Sequence, residues 1–447
     1  MFKKFYQIAA ILFFVLIASG CTGEEKSTSL KICIDGSTEF KCVKWIEEFA
    51  NNNPSVTIEI IKVPSFYSYK TPGPSPKLIQ EREEFLKKLH TEIMAGKGPD
   101  VYFFPQILVN DRGYNVLQDI YKIAQAGVFA DGTEFYEKLN KDSQYIDSVM
   151  EAGKISGHQY IFPTGYNVYG ILANKNIITE EKIDISNLNS LENYVDLFDF
   201  AFGNISYFML DLCSPKTIDV ENKSIDIENQ AFITLLELWE DYTVNPPSSK
   251  YAEPLFPSNM RKAGSKFDNF RVINLNGAIE NAPARAFDGE QHEILLPIRI
   301  DEEITGEING YVAVGDNCKN KDAAFKFVEY VLSENAQVGC VEIGENEVVE
   351  PTSGNGFPVR KGCIPKKFEN VMNLKKITSY YEGTMPTVET IAEYEKIEQS
   401  ISQVSLQLPY YYYETFEDEM QQYIDGKVDL NTALEKVKKS WEYYIDE

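Results

Sequence analysis

From Leu30 onward, short apolar runs alternate with longer segments in which apolar residues recur every three or four positions. Leu30–Ile34 reads as a buried strand, and Asp35-Gly36-Ser37-Thr38 breaks it and offers capping side chains to the next segment. Val43, Ile46, Phe49 and Ala50 then fall at helical spacing until Asn51-Asn52-Asn53-Pro54 stops them, and Val56–Ile61 alternates as a second strand. Strand, helix, strand at these distances predicts a βαβ unit. Residues 64–77 read as a Pro/Ser/Tyr-rich loop. A longer helix follows, with Ile79, Phe85, Leu89, Ile93 and Met94 on one face, and it ends at Gly96. Gly98-Pro99 leads into a third strand, Asp100–Phe104, apolar enough for a parallel sheet buried on both faces. Ligands of such sheets bind beyond the carboxyl ends of the strands, so Asp35–Thr38 and Phe104–Gln106 are expected to share a crevice.

At the far end, Leu430, Ala433, Leu434, Val437, Trp441 and Tyr444 make one apolar face after Asp425-Gly426, predicting a final helix with Trp441 in its core. Tyr410–Tyr413 is compatible with a surface or with the rim of a cleft. The start of the chain is different in kind. Lys3 and Lys4, the apolar run Ile8–Ile17 and Ala18-Ser19-Gly20 form an export signal, residues 1–20, too short to span a bilayer. Cys21 directly after them resembles the acylated cysteine of a bacterial lipoprotein, and 21–29 is a polar tether. The expected address is therefore the outer face of the cytoplasmic membrane, held by lipid.

The chain has 447 residues, enough for two or three domains, and 43% of them are hydrophobic, which excludes overall disorder. A formal charge of −25 with no basic stripe argues against nucleic acid as a partner. Tyr and Phe number 27 each, a large supply of flat surface for cores or for stacking on ligands. Apart from Cys21, the cysteines are Cys33, Cys42, Cys213, Cys318, Cys340 and Cys363. Export permits disulfides, and Cys33–Cys42 and a pair within Cys318, Cys340 and Cys363 are the first to test, against the alternative of buried free thiols. No CxxC or His-rich spacing supports a metal site, and no cofactor is expected. The three histidines, His90, His158 and His292, sit in no HExxH pattern, and GxSxG, Walker A and GxGxxG are absent. Hydrolytic and nucleotide chemistry lose support, although a glycosidase-like carboxylate pair leaves no fixed spacing to look for.

A series of motifs in one order resembles the extracellular solute-binding proteins of ABC importers, the maltose-binding-protein-like family. Glu92–Val101 looks like that family's helix-to-strand junction. Gly153–Ile155, Ile161–Pro163 and Asn167–Lys175 resemble its crossover, with Ala173 in place of a tyrosine; Asn276–Pro283 resembles its later strand and turn, and Glu293–Pro297 its return hinge. Asn309–Val314, Lys321–Val328 with Gln337, and Gly356–Arg360 complete the series. The resemblance implies an α/β fold of the periplasmic-binding-protein type II, two lobes joined by crossing hinge strands with a ligand cleft between them. The expected N-lobe is 30–165 with 295–345, and the C-lobe 166–294 with 346–447.

It also implies a role without catalysis: a monomer captures a small solute, most readily a saccharide, by hinge closure and delivers it to a membrane permease. A sensory or interaction protein of the same fold is the alternative, with a carbohydrate-active enzyme behind it. Expected ligand contacts are Asp35, Ser37 and Thr38 after the first strand, Phe104 as a stacking ring with Gln106 beside it, Tyr166 and Asn167 at the hinge, and Asn281, Arg285 and Tyr311. Asn167 stands where the family has an acidic contact and Ala284 where it has an aromatic platform, so a maltodextrin site is not copied intact. For Asp35–Thr38 the competing role is helix capping; for Phe104 it is core packing.

Overall fold

The computed structural model describes residues 28–68, 71–107, 112–180, 182–198, 209–244, 270–274, 293–338, 340–341, 350–351, 356–373 and 388–447. The predicted opening series is present. Strand β1 (Thr28–Asp35) leads through helix α1 (Glu39–Asn52) to β2 (Val56–Val63), and helix α2 (Pro76–Met94) leads to β3 (Val101–Phe104). β1 pairs in parallel with both β2 and β3, so β1 lies in the middle of the three, and all of its residues from Ile32 to Asp35 are buried. Gly96 takes a φ of +67° just past α2, the left-handed stop that glycine allows without strain. Two details differ from expectation. Met94 points to solvent, 76% exposed, and residues 67–68 and 71–74, in the predicted loop, form a small antiparallel hairpin.

Two long strands carry the rest of the sheet. β4 (Phe162–Asn174) pairs antiparallel with β5 (Phe270–Asn274) and β6 (Glu293–Pro297) along its second half, and with β7 (Glu303–Val314) along its first. β7 in turn joins β3 antiparallel through Tyr311–Val314, and β8 (Ile401–Ser405) in parallel through Ile304–Glu307. The sheet order is β5-β4-β7-β3-β1-β2. Gly310 allows β7 to approach the end of β3, since a Cβ there would lie 2.2 Å from the Pro105 carbonyl oxygen.

The buried apolar side chains form two cores. One gathers β1, β3, Tyr136–Met150, Val168, Ile304–Val314 and Phe327–Leu332; the other gathers Tyr169, Ile171, Leu210–Cys213, Phe232–Trp239, Ile298, Ile300 and the end of the chain from Leu408. Among the described residues the chain passes between cores at Val168/Tyr169, between Ile300 and Ile304, and between Leu406 and Leu408, while Leu295 of β6 reaches the first core from beside Leu296 of the second. Phe357, Val359, Ile364, Phe368, Tyr394 and Ile397, from the stretch 346–447 expected in the C-lobe, pack in the first core. The reason is that the helix Val388–Ser400 runs straight into β8, whose partner β7 belongs to that core. The final helix, Leu430–Asp446, buries Ala433, Val437 and Trp441 in the second core as its spacing predicts, and the Trp441 Nε1–H donates to the Tyr412 carbonyl at 3.1 Å.

The expected Cys33–Cys42 bridge is not formed. Both thiols are free and buried, Cys42 Sγ lying 3.6 Å from the Thr38 carbonyl, and burial pushes both up. Cys318 and Cys363 are also free and are pushed up to about 11 by burial, and Cys213 is free as well. The side chain of Cys340 lies outside the described residues. These are thiols of apolar interiors, inert as nucleophiles.

One charged pair sits deep in the first core. Arg82 of α2 is fully buried, and its Nη1 and Nη2 donate to Asp35 Oδ1 and Oδ2 at 3.0 and 2.5 Å. Its other hydrogens go to the Pro64 carbonyl at 2.7 Å and the Tyr114 carbonyl at 2.9 Å, and the guanidinium lies over the Phe66 ring. Every polar edge of the side chain is thus engaged, the condition for tolerating such burial. Removing one partner alone leaves an unpaired buried charge, so Arg82→Met is expected to lose about 3–5 kcal/mol in urea unfolding. Asp35→Leu/Arg82→Met together should lose much less than the two single losses added; an additive result would contradict the pair.

Glu398 gives a pH-dependent counterpart. It is 7% exposed beside the Gly362 N–H that it accepts from, and burial pushes its carboxyl up to about 7. Because the folded state then holds a proton the unfolded state has lost, the contribution is present below about pH 4.5 and vanishes as the pH rises through 7. Unfolding at pH 5 and pH 8 should show stability falling by about 2 kcal/mol more in the native protein than in Glu398→Gln.

Candidate functional site

The carboxyl ends of β1 and β3 do meet, as parallel pairing requires. Asp35, Phe104, Gln106, Asn115, Tyr311 and Gln407 line a small, partly open space of about 20 Å³ together with Ile107, Val116, Leu117 and Ile120. That volume is on the scale of a single water. Four of the residues were expected from the sequence: Asp35, Phe104, Gln106 and Tyr311. Phe104 and Tyr311 are brought together because β3 and β7 pair with these two residues opposite each other, and their rings meet edge to face with centroids 5.5 Å apart. Phe104 is only 4% exposed, and Tyr311 only 3%. Burial pushes the Tyr311 phenol far up, so it stays protonated and can donate.

The expected contacts after β1 are placed differently from one another. Asp35 lines the space, but both its oxygens are held by Arg82, and Oδ1 also accepts the Ser37 N–H at 2.8 Å. Its carboxylate therefore shapes the loop. Thr38 is buried, its hydroxyl 3.5 Å from the Asp35 carbonyl, and gives α1 no side-chain cap. Ser37 keeps a buried hydroxyl without a protein partner.

At the first crossing, Tyr166 is fully buried under Phe357, the two rings stacked with centroids 5.2 Å apart and their backbones bridged. It does not reach the space lined by Phe104. Asn167 is 2% exposed, with Oδ1 buried and unpartnered where β4 leaves the first core. Asn281, Arg285 and Cys21 lie outside the described residues.

Two polar residues here escaped the sequence reading. Asn115 Nδ2 donates to Gln407 Oε1 at 3.1 Å, joining the segment after β3 to the third crossing. Their signal in sequence is weak: Gln407 precedes Leu408-Pro409 and the tyrosine run, a strand end followed by a helix start. That run is a helix, Tyr410–Ile424, and helical spacing splits its tyrosines. Tyr412 enters the second core, Tyr411 stacks on Tyr444 at 4.4 Å, Tyr413 donates to Asp211, and Tyr410 lies against Gly113. Tyr410 also borders a broad outer groove of about 770 Å³ that runs along α2 past Lys87 and His90.

Further contacts join the two cores beside this site. Tyr444 donates to Asp119 Oδ2 at 2.7 Å, and the Lys122 ammonium stands 3.7 Å over the Tyr444 ring and 3.9 Å from Glu447. Glu221 accepts the Ser156 N–H at 2.9 Å. Chemically the site offers two aromatic rings and three side-chain amides around a carboxylate already neutralised, with no nucleophile and acid–base pair in it. Among the described residues no group of three or more His, Cys, Asp or Glu could hold a metal ion, and no helix is long and apolar enough to cross a membrane.

Residues 44–338 match the family model of the bacterial extracellular solute-binding protein. No curated protein sequence matches the chain. Among solved structures, the sugar-binding protein MalE from Xanthomonas citri aligns over 94% of this chain and 98% of its own, with a TM-score of 0.62 at 11% identity. A sugar transporter from Rhizobium etli in an open conformation aligns over 93% and 99%, with a TM-score of 0.59 at 13% identity. An ABC substrate-binding protein from Listeria monocytogenes, in complex with cycloalternan, aligns over 94% and 99%, with a TM-score of 0.53 at 12% identity. With the mixed sheet and the paired cores, these matches establish the α/β fold of type II periplasmic binding proteins, and the chain belongs to the bacterial extracellular solute-binding protein family.

Proposed function

We propose that the protein is the substrate-binding component of an ABC importer, capturing a carbohydrate between two lobes that close over it and handing it to a membrane permease. One observation carries this reading. The Phe104–Tyr311 ring pair and the amides of Gln106, Asn115 and Gln407 converge at the place where the chain leaves one core for the other. A sugar presents apolar C–H faces and a rim of hydroxyls, and flat rings edged by amides complement both. The sugar-binding relatives support the same ligand class. In this reading the first lobe is built on the core of β1 and β3, the second on the core of Tyr169–Ile300 and the chain end, and the three crossings are the hinge. The protein acts as a monomer, without catalysis, anchored to the outer face of the membrane by lipid on Cys21 after removal of residues 1–20.

Closure has an energetic requirement: the ligand must bind the shut state better than the open one. A micromolar ligand supplies about 8 kcal/mol, enough to shift a hinge equilibrium of a few kcal/mol. A thermal-shift screen over saccharides, amino acids and polyamines is expected to give its strongest stabilisation with a saccharide, with no product released from it. Small-angle scattering with that saccharide should show a smaller radius of gyration than without it. A strongest response to an amino acid or polyamine would reject the carbohydrate, and an unchanged radius would reject the closure.

A further inference from the structure

Gln407 stands apart from the other polar residues of the site. It is 7% exposed, and its Nε2 is buried without a protein acceptor while its Oε1 is held by Asn115. It lies between Leu406 of the first core and Leu408 of the second, so its backbone is the third crossing itself. Its side chain borders the same small space as Phe104, Gln106 and Tyr311. A buried amide N–H without an acceptor is unfavourable, by about 1–3 kcal/mol. Protein sites that retain such a donor next to a cavity gain when a ligand oxygen takes it.

We propose that Gln407 is a specificity-determining residue, which donates from Nε2 to a hydroxyl or ring oxygen of the bound saccharide. This rests on the carbohydrate reading above and sharpens it. The geometry gives the contact a second consequence. Gln407 Oε1 is fixed to Asn115, on the segment following β3, so a ligand bound at Nε2 is tied at once to the hinge and to the first core. Occupancy then favours one relative setting of the two, and the residue reports binding to the hinge directly. Asp35 cannot serve in its place, because Arg82 and the Ser37 N–H already take its oxygens.

The test is calorimetric titration of the full chain with maltose, D-tagatose and cycloalternan, comparing the native protein with Gln407→Glu, Gln407→Leu and Asn115→Ala. Gln407→Glu keeps the shape and the oxygen that Asn115 binds and, titrated at pH 8 to ionise the carboxyl, removes the donor; Gln407→Leu removes it without adding a charge. The expected result is a loss of affinity of about tenfold or more in both Gln407 variants for the sugar that binds best. The ligand-free melting point of Gln407→Leu should stay near native, since it removes the unpaired buried donor, and Asn115→Ala should show a smaller loss of affinity. Native affinity in Gln407→Glu and Gln407→Leu would overturn the assignment while leaving the carbohydrate reading intact. If none of the three sugars binds the native protein, the carbohydrate reading fails for these probes and the assignment falls with it.

Discussion

The ion pair between Arg82 and Asp35 constrains the first core more than any other single contact. It ties α2 to the end of β1, and through the carbonyls of Pro64 and Tyr114 it also holds the exit of β2 and the segment after β3. Those are the ends of three neighbouring parallel strands, where ligands of this sheet type bind. A guanidinium can satisfy four such groups because its donors spread in a plane, which a lysine ammonium cannot imitate. The cost of dehydrating two charges is offset only by complete hydrogen bonding, so the pair is better understood as a device for geometry than as a source of stability. It fixes the loop from Gly36 to Thr38 and the turn at Tyr114, and through them the wall formed by Asn115, Val116 and Leu117.

This pair also shows where sequence reading succeeds and fails. The βαβ opening, the long α2 and the final helix were legible because each buries one face, and burial imposes a period. Arg82 lies three residues after Ile79 and three before Phe85, on the apolar stripe of α2, yet its charge disguised it as part of the solvated Glu81–Glu84 surface. Its position on the stripe was the available signal. Phe104, Gln106 and Tyr311 were reachable because strand ends are visible and parallel strands bring their ends together. Gln407 was not, since a crossing segment between two cores carries no period of its own. The Cys33–Cys42 bridge failed for a related reason: nearness in sequence and an exported context suggested pairing, whereas both residues occupy interior faces of the packed β1–α1 layer, where a thiol serves as a small apolar group.

The aromatic surplus is explained mostly by packing. Phe103, Trp45, Phe49 and Phe327 form a chain of ring contacts in the first core, and Phe232, Phe416, Tyr412 and Trp441 do the same in the second. Tyr166 belongs to this class, as its stack on Phe357 holds β4 to the strand-like segment Gly356–Val359. Among the described residues, the edge-to-face pair at the end of β3 is the aromatic contact that lines the candidate site.

That pair is almost wholly buried around a space of about 20 Å³, which sets a condition on the proposed mechanism. A sugar ring is far larger than the space, so Phe104 and Tyr311 can offer a stacking face only if the walls around them, Ile107, Val116, Leu117 and Ile120 of the first core and Gln407 of the third crossing, move apart. Among the described residues, several contacts that join the two cores are of a modest kind. Tyr444 with Asp119, Lys122 with Glu447 and Glu221 with the Ser156 N–H are single hydrogen bonds or half-exposed ion pairs, each contributing about 0.5–1.5 kcal/mol at most. A hinge equilibrium of a few kcal/mol lies within what a micromolar ligand can supply. The first crossing lies inside the continuous strand β4, the second at the turn just before β7 and the third in the segment after β8, and in the proposed mechanism the donor on Gln407 sits on the third of these.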